Sequence, residues 1–404
     1  MNVSDQSWIG TLPHGWEQTA LRWVLSERKE LNKLREETNI LSVTNDRGVI
    51  RYADKGNIGN KASDDIERYK KVYKGDIVAN SMNVIIGSVG IAPEDGVLSP
   101  VYIVMQPTTD TDTRYFDYIF KTKLFQSQLR RIGYGILDHR MRIPWGNMKV
   151  QVIPKPTLQI QKKISDYLDI ETTKIDHLIA KQERLLGLLE EKRRATITCA
   201  IHPTSGTTEQ RFRDICMINP STELNFKDDD VVSFYPMESI GDDGTIDHTQ
   251  TRSYSAVKTG YTIFQNGDVT VAKVTPCFEN YKGAHMVGMA SGVGFGTTEL
   301  FVLRASEKVT PEYLYWLTQA QDLNNYLAGG MRGTGGLKRV VPEELKNYKF
   351  NIPTPETQKR IVSRLVEGLK KFELLKQKAV KQIELLKERR ISLISNVVTG
   401  KVKV

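Results

Sequence analysis

Cysteine is scarce in this chain: three residues in 404, and Cys199, Cys216 and Cys277 do not stand at Cys-x-x-Cys spacing. That argues against a disulfide framework or a zinc knuckle and predicts a reducing, cytoplasmic setting. Long apolar runs are also missing. Val84–Ile86 and Val101–Met105 fall far short of the ~20 residues a membrane helix needs. The opening Met1-Asn2-Val3-Ser4-Asp5 has no basic and no apolar segment, so no secretory signal is expected. The six histidines (His14, His139, His177, His202, His248, His285) show neither metal-ligand spacing nor a plausible Cys–His dyad, so no metal is expected.

Catalytic motifs are equally thin. Asn219-Pro220-Ser221-Thr222 lacks the second proline and the aromatic of an amino-methyltransferase motif, and reads as a turn after a strand. Gly292-Val293-Gly294-Phe295-Gly296 does not complete a dinucleotide fingerprint, and Gly333–Lys338 lacks phosphate-loop spacing. No catalytic residue is expected, and the chain is read as a non-enzyme.

What is present is enough apolar material, 39%, for real cores, in a length that suits two or three domains. The net charge of +9 is unevenly spread. It is +3 over 1–151, +2 over 152–203, −4 over 204–350 and +8 over 351–404. A polyanionic partner is permitted, but a uniform electrostatic grip is not what this distribution describes.

An internal repeat organises the chain. Gln161-Lys162-Lys163-Ile164 returns as Gln358-Lys359-Arg360-Ile361, each after a proline pair, Pro154-Lys155-Pro156 or Pro353-Thr354-Pro355. The match runs on to Glu191-Lys192-Arg193 against Glu388-Arg389-Arg390. Apolar residues recur at three- and four-residue steps, which predicts two long amphipathic helices. Ile164, Leu168, Ile175, Leu178, Leu186 and Leu189 face Ile361, Leu365, Phe372, Leu375, Ile383 and Leu386 in the expected pairing. About 40 residues at 1.5 Å each make a rod of about 60 Å. A helix with one apolar stripe needs a partner, and the other copy is the nearest candidate.

A globular segment of about 150 residues precedes each helix. The layouts agree: Tyr73-Lys74-Gly75-Asp76-Ile77-Val78 resembles Phe264-Gln265-Asn266-Gly267-Asp268-Val269, and a β-branched run and an amphipathic helix follow in both. The fold class expected is α+β: two globular domains with mainly antiparallel sheets, separated and followed by two long helices pairing as an antiparallel coiled coil.

With its Pro-x-Pro…Gln-Lys-Lys-Ile lead-in, Leu178–Leu185 run, Leu188-Leu189-Glu190-Glu191-Lys192-Arg193 and loop Arg332–Lys338, the chain resembles the specificity subunit of type I DNA restriction–modification enzymes. The resemblance covers essentially all of it. One departure is the first closing loop, Gly133–Arg140, which differs from the second. The resemblance implies target recognition domains at 1–151 and 204–350, and conserved helical spacers at 152–203 and 351–404. It implies double-stranded DNA as ligand, read as an asymmetric bipartite site, one half-site per domain, with a spacer set by the helices. It also implies two modification (methyltransferase) subunits, which would carry S-adenosylmethionine, and restriction (translocase/endonuclease) subunits in the full complex. No cofactor is expected on this chain. Two other readings share parts of the pattern: the recognition subunit of a related enzyme that cuts beside its site, and a non-enzymatic protein-binding helical scaffold.

Base-reading candidates follow from side-chain chemistry, since Arg suits guanine and Asn suits adenine. In the first domain they are Asn80, Ser81, Asn83, His139, Arg140 and Arg142; in the second, Lys273, Tyr281, Arg332, Thr334, Lys338 and Arg339.

Overall fold

The computed structural model describes residues 8–56, 61–63, 65–134, 141–334 and 336–404. Both long helices form, as Leu158–Ile201 and Pro355–Val398, 44 residues each. They run unbroken through Gly187 and Gly368, because one interior glycine costs only ~1 kcal/mol. Each starts behind a strand that the prolines end, Val152–Lys155 or Lys349–Pro353. Past the second helix, Gly400 adopts a φ of +72°, the left-handed ending that glycine permits.

The shielded stripe of each helix keeps a seven-residue spacing, the spacing of a coiled-coil seam. It runs through Gln161, Leu168, Ile175, Gln182 and Leu189 on the first helix, and Gln358, Leu365, Phe372, Ala379 and Leu386 on the second. Leu178 and Leu375 lie off this line and are 45% and 47% exposed. Counting apolar steps cannot separate Leu178 from Ile179, its more shielded neighbour; burial does.

Two compact units result: the chain up to Gln182 together with Lys381–Val404, and Glu183–Val380. Each takes one globular segment and part of both long helices. In the first, the central sheet orders Leu25–Arg28, Tyr102–Pro107, Ile77–Asn80 and Val89–Ile91, antiparallel throughout. In the second, Cys216–Ile218, Leu300–Ala305, Val269–Ala272 and Gly283–His285 repeat that order and sense. Around this common sheet the units differ. The first adds a hairpin, Leu41–Thr44 with Gly48–Arg51. The second adds a four-stranded sheet in which Val231–Tyr235 runs parallel to Val293–Gly296.

The repeated Gly-Asp motif has a structural cause. Asp76 and Asp268 are nearly fully buried, and each carboxylate accepts a backbone N–H three residues upstream, Tyr73 at 3.0 Å or Gln265 at 2.8 Å. Each also receives an arginine fork, from Arg28 at 2.8 and 3.2 Å or from Arg304 at 2.8 Å twice. Two charges leave water together only with such pairing.

The repeated glutamine is explained in the same way. Gln161 is fully buried; it accepts the Asp112 N–H at 2.9 Å and donates to Pro156 O at 2.8 Å. Gln358, equally buried, accepts the Thr310 N–H at 2.8 Å and donates to Lys308 O and Pro353 O. One amide thus satisfies both the helix lead-in and the cap of the short helix Thr113–Lys121 or Pro311–Thr318.

Within each unit the two helix portions pack antiparallel. In the first, Ile164 and Leu168 share a core with Ile394 and Val397, and Asp176 meets Arg390 at 2.9 Å. In the second, Ile197 and Ile201 share a core with Leu365 and Leu369, and Arg193 lies 3.8 Å from Glu373. A buried tyrosine closes each end: the Tyr115 hydroxyl donates to Val398 O at 2.9 Å, and the Tyr313 hydroxyl to Ile201 O at 2.6 Å. These carbonyls belong to last helical turns, which lack an intrahelical partner.

Candidate nucleic-acid interface

In the first unit, the added hairpin and the segment after strand Ile77–Asn80 enclose a cleft of about 690 Å³. Its lining includes the polar Ser42, Thr44, Asn45, Asn80, Asn83 and Ser88, the basic Arg47, Lys55 and Lys61, and the acidic Asp46. Tyr52 and Tyr102 contribute aromatic walls. Asn80 and Asn83 both line this cleft. Ser81 does not: it is buried, and its hydroxyl donates to Val101 O at 2.8 Å. Arg142 is exposed and joins the same neighbourhood, since Ile143 N–H donates to Ser81 O at 2.8 Å. His139 and Arg140 lie outside the described residues.

Lys70 lies under this region and donates to Tyr102 O at 2.8 Å. Burial pulls its pKa down; Glu27 opposes that shift and the nearby Arg142 charge adds to it. Arg47, exposed in the hairpin turn, donates to Asp54 O at 3.2 Å in the turn that follows the hairpin.

The second unit places its candidates differently. Arg332 and Arg339 pair through their backbones, at 3.0 and 2.8 Å, so the loop between them is a small hairpin. The Thr275 hydroxyl pins it, donating to Gly336 O at 2.8 Å and accepting the Lys338 N–H at 2.9 Å. Arg332, Thr334 and Lys338 are exposed there. The Arg339 guanidinium forks onto Glu299 at 2.7 and 3.3 Å, holding that carboxyl below its ordinary range. Lys273 sits 5.7 Å above the Phe301 ring. Tyr281 is packed 4.1 Å beneath the Arg194 guanidinium of the first long helix, with its backbone at φ +59°, so its ring faces the helix.

Each unit thus brings its two candidate groups together at one end of the common sheet, through Ser81 with Ile143 and through Lys273 with Val340, both at 2.8 Å. Sequence reasoning missed Arg47, Lys55 and Lys61. The Thr44-Asn45-Asp46-Arg47-Gly48 turn was a readable hairpin signal, but its position over Asn80 was not. Hydroxyls, amides and rim cations in one cleft can hydrogen-bond base edges and neutralise phosphates. Among the described residues no cluster of His, Cys, Asp and Glu could hold a metal ion, and no helix is long and apolar enough to cross a membrane.

A family model described as the type I restriction modification DNA specificity domain matches residues 22–185 and again 205–385. The chain is similar to the Type I restriction enzyme EcoAI specificity subunit of Escherichia coli, 36% identical over 172 residues, 41% of this chain and 28% of that one. It is also similar to the EcoEI specificity subunit of the same organism, 35% identical over 190 residues, 46% of this chain and 30% of that one. The aligned stretch spans under a third of either relative's length. A chain solved in work on complex assembly and conformational transition of the type I R-M system shares the fold, at a TM-score of 0.73 and 14% identity. That likeness covers 97% of this chain and 100% of the other.

Proposed function

From the premise that this chain belongs to the family of type I restriction modification DNA specificity domains, two copies in tandem, we propose that it is the DNA-recognition subunit of a type I restriction–modification complex. The observation that carries this reading is a common sheet built twice and dressed differently at the same end. One unit carries an amide-lined cleft and the other a pinned basic hairpin. Two unlike readers in one polypeptide suit an asymmetric bipartite site. In this reading residues 1–151 and 204–350 are the recognition domains, and 152–203 and 351–404 are the helical spacers that set the unread gap. Asn80, Asn83, Arg142, Arg332, Thr334 and Lys338 are its base and backbone contacts.

The subunit itself catalyses nothing. It works in the cytoplasm with two modification subunits that bind S-adenosylmethionine, and with restriction subunits in the full complex. Methylation mapping of DNA from cells expressing the chain with its methyltransferase tests this. A methylated two-part motif with a fixed gap is expected; a continuous motif, or none despite an active methyltransferase, overturns it.

A further inference from the structure

The backbone around Asn83 is held from three directions. Its N–H donates to Asn80 O at 3.0 Å, and its carbonyl accepts the N–H groups of Ile86 and Ser88, both at 3.1 Å. Asn80 contributes its own side chain to this turn, Oδ1 accepting the Met82 N–H at 3.0 Å. The Asn83 side chain is different. It is half-buried, lines the cleft, and has no hydrogen-bond partner among the described residues. A rigid main chain therefore displays an uncommitted amide, with donor and acceptor side by side.

The second unit supplies the contrast. The hydrogen bonds of Ser81 O and Lys273 O to Ile143 and Val340 align the two segments, which puts Thr275 in the place of Asn83. Its hydroxyl is fully engaged by Gly336 O and the Lys338 N–H. The same position in one unit secures a loop; in the other it is left available.

In the major groove, adenine presents an N6 donor beside an N7 acceptor, the pattern that an asparagine amide matches with two parallel bonds. Preorganisation matters here, because a side chain already carried on a fixed turn loses little freedom on binding. Resting on the reading above, we propose that Asn83 is the specificity-determining residue that reads an adenine in the half-site of the first recognition domain. Arg47 and Lys61 at the cleft rim supply sequence-independent phosphate contacts.

The full chain, co-purified with its methyltransferase subunit, is used to select from a random-sequence duplex library, as wild type, Asn83→Ala and Asn83→Asp. Asn83→Ala is expected to reduce discrimination for adenine at one position of one half-site by about 10-fold, with the other half-site unchanged. Asn83→Asp, which can accept but not donate, is expected to move the preference at that position toward cytosine, whose N4 is a donor. That gain is one a merely destabilised protein would not show. If the wild type selects a two-part motif and both variants select the same one, the assignment of Asn83 fails while the recognition reading stands. Uniform weakening at every position also sinks it, since that is the signature of a phosphate contact. A wild-type complex that selects no two-part motif overturns the recognition reading itself, and Asn83 with it.

Discussion

Asp268 and Asp322 show how differently two carboxylates can serve one unit. Asp268 is 1% exposed and receives both arms of Arg304. Replacing it with alanine leaves that guanidinium without its counter-charge, an error worth about 3 kcal/mol. A lower urea midpoint for Asp268→Ala, with Asp76→Ala behaving alike through Arg28, is the expected result. Asp322 is only half-buried, with His202 Nε2 3.0 Å from Oδ2 and the Tyr348 hydroxyl donating to the same oxygen at 2.8 Å. Burial pushes its pKa up, but the His202 and Tyr348 contacts outweigh that and bring it down to about 2. A folded pKa below the unfolded value of 3.8 gives stability that is present above about pH 4 and lost as pH falls toward 2. Asp322→Asn should therefore lower stability at neutral pH and flatten the acid limb of a stability-versus-pH curve between pH 4 and 2, so that variant and wild type converge at the acid end. Both arginine forks escape a reading of sequence. Arg28 comes from strand Leu25–Arg28, whereas Arg304 comes from the strand equivalent to its neighbour, Leu300–Ala305, so the partner is kept while its place in the motif is not.

At the level of elements, the helix roots are where sequence and structure agree most closely. Proline before, glutamine at the first turn and apolar residues at three- and four-residue steps after it were visible as a repeat; the seven-residue seam emerged only from burial. The buried amides explain the conjunction: Gln161 and Gln358 each hold a backbone N–H that would otherwise be orphaned, those of Asp112 and Thr310. Alanine at either position should cost about 2 kcal/mol, because a buried donor is left unmatched. Hydrogen exchange should quicken at Asp112 in the first variant and at Thr310 in the second, each without change in the other unit. The hydroxyl caps were not visible. Tyr115 and Val398 are 283 residues apart, and nothing local in either stretch announces the contact. Tyr115→Phe should fray the end of the second helix by about 1 kcal/mol, read as faster exchange in its last turn.

For the whole molecule, the arrangement that matters is two copies of one sheet, each closed by portions of both long helices within its own unit. Exchange of residues 1–151 for the corresponding segment of another family member should change one half of the methylated motif and leave the other half and the gap as they were. A change in both halves would mean that the segments are not independent readers. Net charge is unevenly placed at this scale: the excess lies in 351–404, while the amide-lined cleft lies in a segment of +3. By itself the sequence determined that two globular segments alternate with two long helices, and that the pattern comes twice. Periodicity, proline and caps act over a few residues, so they can be read in order along the chain. Only the tertiary structure decided which polar groups are left to meet a ligand. Asn83 and Thr275, like Arg332 and Arg339, differ in availability through partners that fold back from as much as 63 residues away, and that accounting closes only when every donor has found its acceptor.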